Sequence, residues 1–279
     1  MMRLLKRAGV LLGLVCLALT GGWFLLGFTC VSFGEVPTGF RAEDRLDALF
    51  ADVLREGRVD YDGVRAFGDQ SGADELAAFY GRPGVAPSDA KLAAALNAYN
   101  VTVLAFVARR GPQYSIHEVR GVIEPEPGFG FFYAQWFKFD GSWTNLYDLE
   151  NEVIRSFGDA RIHAAINCAS TSCPSLHERA FRAELLDDQL DEAARRFVSD
   201  PRHVRFDGAG TLHLSAIFEW FASDFEGHRL PSGERGLRAF IDAFCESPTC
   251  VAPRDAELRY NEYDWSLNAV RESAQAAGD

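Results

Sequence analysis

The sequence predicts an α+β fold: a single domain with a buried central helix, a small mostly antiparallel sheet and peripheral helices, preceded by one N-terminal transmembrane helix. Three observations carry that expectation. Strand signals are scattered irregularly among helical ones, which argues against a doubly wound sheet. One helical stretch is apolar on every side and must be covered all round. A 27-residue run without charge, residues 8–34, follows Arg3, Lys6 and Arg7, and roughly 20 apolar residues suffice to span a bilayer.

Taken in order, residues 1–34 read as a membrane anchor or uncleaved signal, with the membrane contact at residues 8–28. Basic residues ahead of the run keep the amino end cytoplasmic, so the domain at 41–270 is expected in the periplasm or outside the cell. Leu46, Leu49, Phe50, Val53 and Leu54 have helical spacing within 41–57, which ends at Gly57. A connector containing Val59-Asp60-Tyr61 leads to a shorter helix near 73–80. Ser88 caps the central helix, which runs to about Arg110; residues 92–108 hold no charge and six alanines. Asn97 and Asn100 lie on one face of it, where buried amides must find partners. Residues 124–132 read as a surface loop pinned by Phe131 and Phe132, or as a lid.

Strands near 135–139 and 143–146 turn at Asp140-Gly141, and a helix follows from about Tyr147 to Ser156. Residues 161–168 read as a buried strand. Ser175-Leu176-His177-Glu178 has capping-box spacing and opens helical segments to about Val198. A second hairpin turns across 207–210, residues 215–225 and 233–245 read as helices, and a short tail around 260–268 precedes the terminal residues 271–279.

The net charge is −12; without Arg3, Lys6 and Arg7 the rest of the chain stands at −15. A body that acidic is a poor nucleic-acid or anionic-lipid binder, so no nucleic-acid partner is expected. There is no phosphate loop, dinucleotide fingerprint, paired metal histidines or serine-nucleophile elbow, so neither cofactor nor metal is called for.

Cysteine use points to export. Beyond Cys16 and Cys30, two local pairs remain, Cys168 with Cys173 and Cys245 with Cys250, and an oxidising compartment would let both close. The densest chemistry is His163, Cys168, Cys173 and His177. With a helix starting just after Cys173, its N–H groups would stabilise a Cys173 thiolate, and His163 would serve as base. Strand alternation, however, sets His163 and Cys168 on opposite faces. The same residues also read as a disulfide or packed thiols, as a thiol-disulfide exchange site, or as zinc ligands with His163 or His177.

Leu96-Asn97-Ala98-Tyr99-Asn100, Leu146-Tyr147-Asp148-Leu149-Glu150, Arg161-Ile162-His163 leading to the 167–176 segment, Trp220-Phe221-Ala222-Ser223-Asp224-Phe225 and Tyr263-Asp264-Trp265-Ser266-Leu267-Asn268 resemble the recurrent motifs of the domain of unknown function 547 family. The resemblance covers about residues 45–270 and implies a bacterial exported member. It marks Asn97, Tyr99, Asn100, Glu150, His163, Cys168, Cys173, Trp220, Asp224, Asp264 and Trp265. Trp220 and Trp265 read as core or lid aromatics, and Asp224 and Asp264 as capping or turn residues. Papain-like and transglutaminase-like enzymes also set a nucleophile at a helix start, but here the histidine precedes the cysteine.

Two functions therefore stand open. One is a thiol-dependent hydrolase or transferase with Cys173 as nucleophile, His163 as base and Asn97 as orienting donor, binding an unknown small-molecule or peptide substrate with Tyr99, Asn100, Glu150 and Cys168. The other is a non-catalytic binding or assembly module in which a Cys168–Cys173 disulfide staples the loop.

Overall fold

A computed structural model describes residues 25–36, 38–68, 72–110, 114–123 and 125–270. Most of the expected anchor and the terminal residues 271–279 lie outside the described residues. The end of the uncharged run is folded onto the domain: β1 (Thr29–Cys30) pairs in parallel with β4 (Gln135–Phe139), and Phe33 stacks on Phe106 at 6.1 Å. Residues 29–34 thus belong to the domain.

The expected central helix forms as Lys91–Arg110. Among the described residues it alone is long and apolar enough to cross a membrane, yet the protein itself buries it. Leu96, Tyr99, Val101, Leu104 and Phe106 are all within 1% of full burial, because helices Tyr61–Ala66 and Gly72–Tyr80 and the turn Leu149–Ile154 pack against it, with helix Ala42–Val53 packed on the first two. The helix Tyr61–Ala66 was not signalled by periodicity; Asp60 caps it by accepting a 2.8 Å bond from the Gly63 N–H.

Among the described residues, three small sheets replace the one expected. β1, β4 and β5 (Ser142–Thr144) form the first, β2 (Leu54–Arg55) and β3 (Arg58–Val59) a short hairpin, and β6 (Val204–Phe206), β7 (Thr211–Leu214) and β8 (Glu257–Tyr260) the third. The β2–β3, β4–β5 and β6–β7 pairings are antiparallel, whereas β1–β4 and β7–β8 are parallel. The expected hairpin turns are where the turn residues place them. Asp140 and Gly141 both take positive φ, 48° and 82°, as a two-residue hairpin loop of right-handed twist requires. Asp207 accepts from the Ala209 and Thr211 N–H groups to shape the other.

A second apolar cluster gathers Phe197, Phe218, Phe225 and Phe240 from helices Leu186–Ser199, Ala216–Trp220, Ala222–Gly227 and Leu237–Phe244. The segment joining the clusters corrects two expectations. Residues 161–168 are not a strand: Ala160–Ala164 is a 3₁₀ turn whose start is held by the Asp159 carboxylate on the Arg161 N–H, at 2.9 Å. Ile162 enters one cluster while Ala160 and Ala164 enter the other, which a turn allows and a two-faced strand there does not provide. Nor does Ser175-Leu176-His177-Glu178 start a helix. Its polar groups are engaged elsewhere, His177 on the Arg179 carbonyl and Ser175 with Arg202, and regular helix resumes only at Leu186 after a 3₁₀ turn at Ala183–Leu185.

Candidate functional site

The site is built outward from the central helix. Asn97 donates to the Phe181 carbonyl at 2.8 Å and accepts from the Phe181 N–H at 2.9 Å; Asn100 donates to the Ala165 carbonyl and accepts from the Asn167 N–H, both at 2.9 Å. Each amide pairs with backbone as another peptide group would, satisfying buried donors and acceptors on the irregular chain. Asn97 and Asn100 are therefore clamps behind the cleft described below and do not line it.

Asn167 extends the clamp. It donates to the Pro174 carbonyl at 2.6 Å and accepts from the Ala169 N–H at 2.8 Å, closing the 168–173 loop at its base. Ala169 sits in the loop at φ 69°, a left-handed conformation that costs a residue with a Cβ about 1 kcal/mol. The carboxy-terminal segment covers the loop's other side: Thr171 N–H donates to the Ser266 carbonyl at 2.7 Å, and Asn268 N–H to that of Ala169 at 2.9 Å.

Within the loop, Cys168 and Cys173 form a disulfide with Cα atoms 6.2 Å apart. The Cys173 sulfur accepts from the Cys168 N–H at 2.9 Å and from the Tyr263 hydroxyl at 3.2 Å, while Ser170 donates to Tyr263 at 2.8 Å. Cys245 and Cys250 form a second disulfide, with Cα atoms 5.9 Å apart, outside the cleft.

Above the first disulfide opens a cleft of about 510 Å³. Tyr133 and Tyr147 stack at 4.2 Å on one side, and Trp220 stacks on Trp265 at 5.7 Å with Tyr263 4.4 Å from Trp265. Glu126, Pro127 and Phe132 contribute part of the lining, so the 124–132 stretch, outside Glu124, is both pinned through buried Phe131 and part of the cleft. Cys173, His163, Tyr99, Glu150 and Cys168 all line it.

Two polar constellations sit in this apolar setting. His163, 2% exposed, stacks on Phe221 at 4.0 Å and meets Asp224 through Nε2 at 2.8 Å. Arg155 grips the same carboxylate with two bonds of 2.7 and 2.8 Å. The hydrogen bonds from His163 and Arg155 hold the Asp224 carboxyl far below its ordinary range, and burial pushes the His163 imidazole down. A neutral imidazole facing an ionised carboxylate must place its proton on Nε2. Asp224, expected to cap or turn the chain, instead fixes that tautomer.

The second constellation is Glu150, which accepts from the Tyr99 hydroxyl at 3.3 Å. Glu150 lies in a π-helical turn, Leu149–Ile154, inside the helical segment expected at 147–156. Burial pushes its carboxyl up to about 7, against the opposing pull of Tyr99 and Arg155. Burial likewise drives Tyr99 well above the ordinary phenol range.

The sequence reading missed Arg155, Tyr133 and the chemical place of Tyr147 and Tyr263. The last two stand inside quoted motifs, so their signal was present; Arg155 meets Asp224 across 69 residues, and no local pattern announces such a pair. The zinc alternative finds no support: among the described residues no group of three or more His, Cys, Asp or Glu is arranged to hold a metal. His177 meets Glu192 at 3.3 Å instead.

A family model described as protein of unknown function, DUF547, matches residues 85–198. The match takes in the central helix, Glu150, His163 and the Cys168–Cys173 loop, and over these residues the chain resembles that family. The motifs at 220–225 and 263–268 lie beyond it. No curated protein and no solved structure matches the chain.

Proposed function

We propose that this chain, similar to the DUF547 proteins of unknown function over residues 85–198, is a membrane-tethered, exported binding module that takes a small molecule or peptide side chain into its aromatic cleft. The observation that carries this reading is that both sulfurs of the cleft loop lie in one disulfide, where they shape the cleft floor. The cleft volume falls within the ordinary range for small-ligand sites, and its lining combines aromatic side chains with a few convergent polar groups. Two short-range disulfides fit an oxidising compartment, and the uncharged run behind Arg3, Lys6 and Arg7 fits the tether.

Thiol catalysis fits the geometry less well. Cys173 is not at a helix start, so the feature expected to stabilise its thiolate is missing, and the Nε2 edge of His163 faces Asp224. What favours it is that Cys173 and His163 share the cleft. Thiol titration of the native chain before and after mild reduction separates the two. The binding reading expects no reactive thiol at Cys168 or Cys173 and ligand binding by the oxidised protein. A single fast-alkylating thiol at Cys173, with function abolished by alkylation, would replace it with the hydrolase or transferase reading.

A further inference from the structure

We infer that the cleft selects a small organic cation, an ammonium group held between aromatic faces and a carboxylate. The inference rests on the binding reading above and names the ligand's chemical class. Among the described residues, the acids lining the cleft are Glu126 and Glu150, and neither lysine nor arginine lines it. The nearby Arg155 is gripped by Asp224, so its charge is matched locally. Tyr147, Trp220, Tyr263 and Trp265 supply electron-rich rings, which attract a cation lying within about 6 Å of the ring centre.

The aromatic faces are partly open and already ordered. Trp220 is 49% exposed and Tyr147 40%, although large aromatic side chains are normally covered. Each stacks on a neighbour, at 5.7 Å on Trp265 and 4.2 Å on Tyr133, so little side-chain freedom remains to be lost when a ligand arrives. The wall already performs the same recognition once: the Arg155 guanidinium lies 5.2 Å over the Phe221 ring. An anionic ligand would meet two carboxyl groups and, among the described residues, no lysine or arginine in the lining. A neutral sugar would use the stacked faces but gain nothing from the acidic lining.

Glu150 gives the inference a second readout. The groups facing it are Tyr99 from the central helix, Arg155 on its own segment, Asp224 from helix Ala222–Gly227 and Tyr263 from the carboxy-terminal segment. With its carboxyl at about 7, Glu150 is partly protonated at neutral pH, and an arriving cation favours the ionised form. Binding therefore releases protons, and affinity rises between pH 6 and 8.

Calorimetric titration of the full oxidised chain tests this with choline, butylammonium and 3,3-dimethyl-1-butanol, the uncharged isostere of choline, in buffers of different ionisation enthalpy. The expected result is at least one ammonium binding about tenfold more tightly than the isostere, with net proton release. Glu150→Gln should abolish the release and narrow the difference, while Trp220→Ala at its half-exposed position should weaken every probe. Equal affinity for charged and uncharged probes, or tighter binding of cellobiose than of any ammonium, would overturn the cation inference while leaving a binding cleft in place. Failure of every probe also overturns it, whereas the disulfide itself is tested separately by the thiol titration.

Discussion

At Asp224, one carboxylate answers both an imidazole and a guanidinium, and removing it strands two polar groups at once. Asp224→Ala is expected to cost about 3 kcal/mol in urea unfolding, since a charge and a buried ring nitrogen lose their acceptor together. A loss below about 1 kcal/mol would show that solvent replaces the carboxylate. Glu150 behaves oppositely with pH. Its folded value of about 7 exceeds the ordinary 4.5, so between these the folded chain holds a proton that the unfolded chain releases. The stability this gives is fully present below pH 4.5 and is lost as pH rises through 7. Glu150→Gln should therefore leave stability almost unchanged at pH 4 and raise it at pH 8 by about 2 kcal/mol, somewhat less than the full shift implies because the carboxyl keeps some solvent. Equal effects at both pH values would place the carboxyl's titration elsewhere.

At the scale of elements, the central helix organises irregular chain through its amides rather than through its apolar surface alone. Asn100→Ala should cost about 2–3 kcal/mol, because the Ala165 carbonyl and Asn167 N–H lose a shared partner in a buried setting. Thermal unfolding of this variant beside Thr102→Ala, a buried helix position not engaged in these two loop bonds, isolates the effect; equal losses would refute the clamp. The helix was legible because its uncharged span must be covered on every side, and the β4–β5 and β6–β7 hairpins were legible because Asp140-Gly141 and the 207–210 stretch carry the backbone requirement locally, whereas the β2–β3 hairpin was read as the end of a helix and a connector. The 161–168 run was not, since a short apolar run can be a strand or a buried turn, and only its two packing partners decide. The capping-box pattern misled for a related reason: its side chains found distant partners, Ser175 in Arg202 and His177 in Glu192. Of the site, the cysteine loop, His163 and Glu150 could be picked out along the chain, but the Arg155–Asp224 pair and the aromatic walls exist only once remote segments meet.

Across the whole molecule, the two disulfides provide an internal comparison. Each links residues five apart, so chain entropy assigns both about the same stabilisation, near 2 kcal/mol. Their surroundings differ. Cys245–Cys250 belongs to the second apolar cluster, remote from the cleft lining. Cys168–Cys173 lies where the central helix, through Asn100 and Asn167, meets the returning carboxy-terminal segment, which binds the loop at Ala169, Thr171 and Ser172 and brings Tyr263 and Trp265 to the cleft. Replacing both cysteines of either pair by serine should thus lower stability by similar amounts, about 2 kcal/mol, in denaturant titrations. Only the Cys168→Ser/Cys173→Ser chain should also change the fluorescence of Trp220 and Trp265 and weaken the cleft's ligand, because only there does loop freedom reach the aromatic wall. If both variants left fluorescence and binding unchanged, the carboxy-terminal segment would suffice to hold the loop, and the disulfide would contribute stability without shaping the cleft.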